Sequence, residues 1–244
     1  MKRKRGAYGV VIGLCGGMLL SACHWERSSS SNRAPLFQQL PSGQTGIDFN
    51  NRVKDTRELN IFKYRDFYNG GGVAIGDVNN DGLPDIFFTS NQHENKLYIN
   101  QGNWKFKDVT AKAGLTSVHH WHTGVTMADV NGDGWLDIYV SNSGDIPGDD
   151  RSNELYINQG NGIFREEAHA YGLDDKGKGT QAVFFDYDHD GDLDCFVLNN
   201  SNRPIESFGS DPFLRNTRDP VNGDRLYRND QGKFTDVSAA AGIF

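Results

Sequence analysis

From about residue 70 onward, short apolar and aromatic runs alternate with clusters of Gly, Asn and Asp. Val73-Ala74-Ile75, Ile86-Phe87-Phe88, Leu97-Tyr98-Ile99 and Lys105-Phe106-Lys107 are such runs. Short β-rich runs bounded by turn residues read as strands. The whole pattern then recurs. Gly72 to Phe88 is echoed by Gly124 to Val140 and by Ala182 to Val197. Leu97-Tyr98-Ile99-Asn100-Gln101-Gly102 is echoed by Leu155 to Gly160 and by Leu226-Tyr227-Arg228-Asn229. Each copy closes on Ala-Gly-Leu, Tyr-Gly-Leu or Ala-Gly-Ile. A period near 50 residues means blades or a solenoid. Four antiparallel strands per copy is the make-up of a β-propeller blade. A short helical turn is expected around Thr110-Ala111-Lys112-Ala113, ended by Gly114. The repeats run over about 69–115, 116–173 and 174–244.

Composition sharpens this. Of 244 residues, 25 are Asp and only 7 are Glu, and there are 22 Asn and 29 Gly. Asp, Asn and Gly favour turns, whereas Glu favours helices. A helical bundle is therefore disfavoured. A net charge of −7 argues against nucleic acid as a partner, because phosphate binding needs clustered Lys and Arg. Aromatic content of 11% is high for a disordered chain.

Much of the Asp falls in one motif, Asp-x-Asn/Asp-x-Asp-Gly-x-x-Asp, whose three copies begin at Asp77, Asp129 and Asp186. Ca²⁺ takes six to eight hard oxygen ligands. Positions 1, 3, 5 and 9 supply Asp77, Asn79, Asp81 and Asp85; Asp129, Asn131, Asp133 and Asp137; and Asp186, Asp188, Asp190 and Asp194. Position 7 supplies a backbone carbonyl from Leu83, Trp135 or Asp192. Gly82, Gly134 and Gly191 at position 6 permit the tight curl. Up to three Ca²⁺ ions are expected, with tighter binding in the third loop because of its extra carboxylates, unless Asp192 points away. An EF-hand is excluded: it needs a bidentate Glu at position 12 between helices, and position 12 is Phe88, Val140 or Val197. The rival reading is metal-free Asx turns, which threefold repetition disfavours.

These motifs resemble FG-GAP/VCBS repeats, the blades of integrin-α-like propellers. Gly-Val-x-x-x-Asp-Val-Asn-x-Asp-Gly with Leu-Tyr-Ile-Asn-Gln-Gly and Ala-Gly-Leu is closer still to the bacterial cartilage-acidic-protein-like group, often found with an ASPIC/UnbV domain. The resemblance covers roughly 46–244. It implies an all-β, calcium-stabilised, extracellular propeller that is non-enzymatic as far as the repeat goes. Such propellers close with about seven blades, and three are present, so a fragment or truncated product is expected. Gly46-Ile47-Asp48-Phe49 resembles the N-terminal strand with which related propellers complete their last blade. A three-blade sector leaves two open edges, a pairing hazard that points to self-association.

The first residues read as an address. Lys2-Arg3-Lys4-Arg5, an apolar stretch from Ala7 to Leu20 and then Ser21-Ala22-Cys23 form a secretory signal, and the apolar run is short for a transmembrane helix. Leu20-Ser21-Ala22-Cys23 resembles the bacterial lipobox, which implies cleavage before Cys23, lipidation of its thiol and export to the outer membrane or surface of a Gram-negative cell. The alternative is an ordinary signal with a chance cysteine. Residues 1–22 are thus the signal peptide and 23–45 a flexible tether. Cys195, in an apolar run, is expected to be a buried thiol.

With the metal loops on one face, the B–C and D–A connections occupy the other, which resembles the ligand face of related propellers. His119-His120-Trp121-His122, the polar loop from Asp145 to Asn153 and the insertion from Asn199 to Arg225, with Arg203, lie there. His120 and His122 could bind a transition metal, and Trp121 could stack on a sugar or peptide. Alternatively all four are surface and packing residues. The leading function is a calcium-binding surface lipoprotein that holds a protein or glycan. The alternative is an extracellular polysaccharide lyase or hydrolase, which needs a converging acid/base set on the inner strands; Gly72 to Gly76 and Gly124 to Ala128 offer none.

Overall fold

In the computed structural model, residues 35–200 and 217–243 are described. Cys23, Arg203 and most of the insertion around Arg203 lie outside them. The chain divides into two compact units, 1–39 and 40–244, and the fold lies in the second.

Among the described residues, twelve strands form three antiparallel sheets. The first holds β1 (Val73–Gly76), β2 (Asp85–Phe88), β3 (Lys96–Asn100) and β4 (Phe106–Asp108) in sequential order. The second holds β5 (His122–Ala128), β6 (Asp137–Asn142), β7 (Glu154–Asn158) and β8 (Phe164–Glu166), again in order. The third holds β9 (Gly179–Phe185), β10 (Asp194–Asn199), β11 (Arg225–Asn229) and β12 (Phe234–Asp236). These are the blades read from the sequence, each an up-and-down meander. The Asp loop joins the first strand to the second in every blade.

The core lies between the sheets. Ala74, Phe87 and Leu97 of the first blade meet Val125, Ile138, Val140 and Tyr156 of the second. On its other face the second blade packs Tyr139, Leu155 and Ile157 against Ala182, Cys195, Val197 and Tyr227 of the third. Strands pointing alternate side chains to opposite faces can serve two interfaces at once, so β6 and β7 are buried along their whole length. Each fully buried Val, Leu, Ile or Phe among them contributes roughly 1.5–3 kcal/mol. Cys195 is free and fully buried, and burial pushes its thiol well above the ordinary range.

The inner strands approach closely. Thr123 and Thr126 donate side-chain hydrogen bonds to the carbonyls of Gly179 and Ala182, at 2.8 and 2.5 Å. Gly124 allows this: a Cβ there would sit 2.5 Å from the Thr180 carbonyl oxygen and 2.7 Å from Gln181 Cα. Gly124→Ala is therefore expected to push β5 from β9 and lower stability by about 1–3 kcal/mol, read as a shifted urea midpoint. A midpoint within error of wild type would show that the strands separate freely.

The first and second blades each end in a turn that docks on the outer strand of the next. Ala113 donates to Val109 O at 2.8 Å and Leu115 to Thr110 O at 3.2 Å, the helical turn expected there, and Phe164 of β8 donates to Ala113 O at 2.8 Å. In the second blade the turn lengthens to α2 (Ala168–Tyr171). A Cβ on Gly114 would lie 3.0 Å from Phe164 O, and one on Gly172 2.7 Å from Phe234 O.

The segment before the first blade differs from expectation. Ser42–Thr45, assigned to the tether by the sequence, forms α1. A Cβ on Gly46 would lie 2.5 Å from Phe106 O, so Thr45-Gly46-Ile47 takes on β4 the place that an Ala-Gly-Leu turn takes on the next blade. Gly46 to Phe49 is not a strand. Phe49 stacks on Phe88 at 4.8 Å, and Tyr98 donates to Asp48 Oδ1 at 2.9 Å, covering part of the outward face of the first blade. What remains exposed at the two ends of the sector is apolar face rather than strand edge: Val73 and Ile75 on one side, Val183, Phe185 and Leu198 on the other.

Candidate metal centres

The three Asp loops curl alike. Asp77 accepts the amides of Asp81 and Gly82 at 3.1 and 2.7 Å, and Asp129 those of Asp133 and Gly134 at 3.0 and 2.8 Å. Asp186 accepts from His189 at 2.6 Å and Gly191 at 3.3 Å. Position 6 is left-handed in every loop, with φ of 85°, 88° and 102° at Gly82, Gly134 and Gly191. A Cβ there would meet nothing within 4 Å, so glycine is needed for its backbone and not for space. Position 4 is left-handed too, at Asn80, Gly132 and His189. Asn and Gly, the residues that adopt this conformation most readily, mark that position in the first two loops.

Asn79 and Asp81, and Asn131 and Asp133, hold their side chains together: each Asn amide donates to its Asp at 3.0 Å. In the third loop, carboxylate oxygens of Asp186, Asp188 and Asp190 lie within 4.8 Å of one another. Asp192 turns partly aside, accepting the Gln231 amide at 3.2 Å. Burial raises Asp188 and Asp192 above the usual carboxylate range, and the Asp190 charge adds to it. The loops are neighbours on one face, where the Asn80 amide donates to Gly134 O at 3.0 Å. Leu83 and Trp135 stand at position 7, with the Trp135 ring against Gly160.

Position 9 has a second task. Asp85, Asp137 and Asp194 are at most 1% exposed. Each accepts one backbone amide from position 2 and one from the end of the third strand: Val78 and Asn100, Val130 and Asn158, Tyr187 and Asn229, at 2.7–3.1 Å. The carboxylate thus pins the loop to the sheet. Burial pushes Asp137 up to about 7; its two amide partners oppose this, and Asp133 and Asp129 add to it. Asp85 is raised for the same reasons. The Asn of Leu-Tyr-x-Asn is also structural. Asn158 donates to Val78 O of the preceding blade at 2.8 Å, and Asn229 to Val130 O at 3.4 Å. Asn158→Ala is expected to cost about 1 kcal/mol, measurable by urea denaturation. No loss would remove this link between blades.

The FG-GAP-like repeat profile matches residues 66–140 and 144–197. The chain belongs to the FG-GAP-like repeat family. Cartilage acidic protein 1 of Mus musculus is 40% identical over 73 residues, covering 30% of this chain and 11% of that protein. The Homo sapiens protein is 38% identical over 76 residues, 31% of this chain and 12% of that protein. Integrin alpha-8 of Gallus gallus is 32% identical over 107 residues, 38% of this chain and 10% of the integrin. The chain thus spans only a small part of the length of these relatives. The match joins the three sheets to a propeller of the FG-GAP type, an architecture of binding and interaction modules.

On the opposite face, Trp121 and His122 follow the packing alternative and not the ligand-binding one. Trp121 is 1% exposed and packs edge-on to Tyr64 and tilted on Phe67, each at 5.3 Å. It is an aromatic anchor for the 50–70 segment and cannot stack on a ligand. His122, also 1% exposed, is turned into the protein with Nδ1 2.7 Å from Asn142 Oδ1. His120 and His122 therefore do not form an exposed pair. His119 instead meets Asp149, Nδ1 to Oδ1, at 2.6 Å. Near the axis, a cavity of about 210 Å³ is lined by Tyr64, Asp66, Thr123, Ser143, Gln181 and Asn200 among others. No helix among the described residues is long and apolar enough to cross a membrane.

Proposed function

We propose that the chain is a calcium-binding module of an exported, lipid-anchored surface protein, using the face opposite the Asp loops to hold a protein or glycan. The observation that carries the calcium reading is the threefold recurrence of one curled loop, with oxygen-bearing side chains gathered at positions 1, 3 and 5 and a buried carboxylate at position 9. Oxygen-only donors in a flexible loop suit Ca²⁺ better than Zn²⁺. The polar axial cavity supports a ligand site on the opposite face, and the inner strands β1, β5 and β9 contain no Asp or Glu, which favours binding over hydrolysis. Isothermal titration of chelator-treated protein is expected to give three Ca²⁺ per chain, falling to two in Asp190→Ala. Three sites in that variant would overturn the ligand assignment, and no binding heat in wild type would overturn the calcium reading.

The lipid anchor rests on Leu20-Ser21-Ala22-Cys23. Palmitate labelling in a Gram-negative host should be lost in Cys23→Ser; labelling that persists would exclude this cysteine. Self-association would use the exposed Val183, Phe185 and Leu198 face. Leu198→Lys is expected to reduce the sedimenting mass, and a wild-type chain that sediments as a monomer would exclude the contact.

A further inference from the structure

The segment from Asn51 to Asn69 lies on the face opposite the Asp loops, and it is tied to the connection after the second strand of every blade. In the first blade, Asn51 Nδ2 donates to Asn91 Oδ1 and the Lys54 amide to Gln92 Oε1, both at 2.7 Å. In the second, Tyr64 OH donates to Ser143 Oγ at 2.9 Å. In the third, Asn200 Nδ2 donates to Asp66 Oδ2 at 2.7 Å. Val53, Leu59, Tyr64 and Phe67 cluster with Trp121. These contacts occupy the inner side of the segment and leave its outer side to meet a partner.

That outer side carries a compact double turn, which Asn60 knits together. Its Nδ2 donates to Thr56 O at 2.8 Å, and its Oδ1 accepts the Phe62 amide at 3.0 Å. Its carbonyl accepts the amides of Lys63 and Tyr64 at 3.0 and 2.9 Å. Arg57, Ile61, Phe62 and Lys63 are thereby held on one small projection. Phe62 is 97% exposed and Ile61 36%. Charge singles out the same region. Residues 52–63 contain four exposed basic residues (Arg52, Lys54, Arg57 and Lys63) and only two acidic ones, in a chain of net charge −7. Among the described residues, none of these four cations pairs with a carboxylate. Lys96, Arg151, Lys176 and Lys178 of the blades each do, at 2.7–3.2 Å. Asp55 is taken up by Tyr68 OH, at 3.0 Å.

We propose that this projection docks on an anionic lipid surface. Ile61 and Phe62 enter the boundary between headgroups and acyl chains, Arg57 and Lys63 meet headgroup phosphates, and Arg52 and Lys54 add longer-range attraction. A fully exposed Phe on a convex turn gains from burial only where the partner closes around it. A bilayer does so without a preformed pocket, and a rigid protein or an extended glycan does not. Each Lys or Arg near an anionic bilayer adds attraction. The Asp clusters stand on the opposite face, so the uneven charge turns this face toward such a surface. The contact goes beyond the function proposed above, and it needs neither the lipid anchor nor the axial cavity.

The test uses residues 40–244, the compact unit that holds the fold, so that neither Lys2 to Arg5 nor an acyl chain contributes. Ca²⁺ keeps the Asp loops saturated. Co-sedimentation is expected with vesicles containing phosphatidylglycerol and not with phosphatidylcholine alone, and high salt should release most of the bound protein. Arg57→Ser and Lys63→Ser should each weaken binding about fivefold, and Phe62→Ser about tenfold. All three side chains are exposed, so the urea midpoint should stay at the wild-type value and keep a loss of binding apart from a loss of fold. The proposal is overturned if wild type does not sediment with phosphatidylglycerol vesicles, or if Phe62→Ser and Lys63→Ser sediment as wild type does. Equal binding to soluble dextran sulfate, untouched by Phe62→Ser, would assign the cations to an acidic polymer and overturn the lipid contact.

Discussion

Asp137→Ala is expected to destabilise the protein by about 3–5 kcal/mol even in calcium-free buffer. The carboxylate is 1% exposed and accepts the Val130 and Asn158 amides at 3.0 and 2.8 Å. Alanine leaves both N–H groups without a partner. An unsatisfied buried donor costs about 1–3 kcal/mol, and the lost side chain adds a small void. Against a usual stability of about 5–15 kcal/mol, this is a large fraction, equivalent to a fall in Tm on the order of 10 °C. Asp77→Ala is the informative control. Asp77 also accepts two amides, but those of Asp81 and Gly82 lie on an exposed loop where water replaces it. Its calcium-free cost should stay below about 1 kcal/mol. A loss in Asp137→Ala no larger than that in Asp77→Ala would show that position 9 braces the metal-free fold no more than position 1 does.

The contrast between positions 1 and 9 also marks how far sequence reasoning reached. The strands and the loop ends were legible because they repeat: a glycine at position 6 and apolar runs on either side allow little but a strand, a tight curl and a strand. The bridging by Asp85, Asp137 and Asp194 was not, because the second amide each accepts lies 15, 21 or 35 residues away. Nothing local marks a carboxylate as a brace rather than a ligand. The choice between ligand and packing roles for Trp121 and His122 was not legible for a related reason. They sit in a connection that ought to be exposed, but Tyr64 and Phe67, from a segment without regular periodicity, fold over it. The aromatics of that segment were the available signal. The Thr45-Gly46-Ile47 likeness to Ala113-Gly114-Leu115 was legible as well, and it foretells docking on β4 rather than a strand.

Removing calcium should have the largest effect of all. An ion that binds only the folded chain adds about 2.7 kcal/mol when it stands at a hundred times its dissociation constant. Three independent sites would add about 8 kcal/mol, so chelation should lower Tm by roughly 15–30 °C. Neighbouring loops make full independence an upper bound, since Asn80 of one donates to Gly134 O of the next at 3.0 Å. The third loop should fill first: Asp186, Asp188 and Asp190 already converge, and the first two loops have the neutral Asn79 and Asn131 at position 3. Asp190→Ala should therefore remove the tightest step of the titration. Two controls separate coordination from screening. Sodium chloride at high concentration shortens the reach of carboxylate repulsion and should recover only a minor part of the lost Tm. Mg²⁺ demands near-octahedral geometry and keeps its waters, so it should recover less than Ca²⁺ at equal concentration. If sodium chloride restores as much as Ca²⁺, the loops are merely crowded acids. If chelation leaves Tm unchanged, the braces at position 9 suffice alone, and the Asp and Asn of positions 1, 3 and 5 need another explanation than a bound ion.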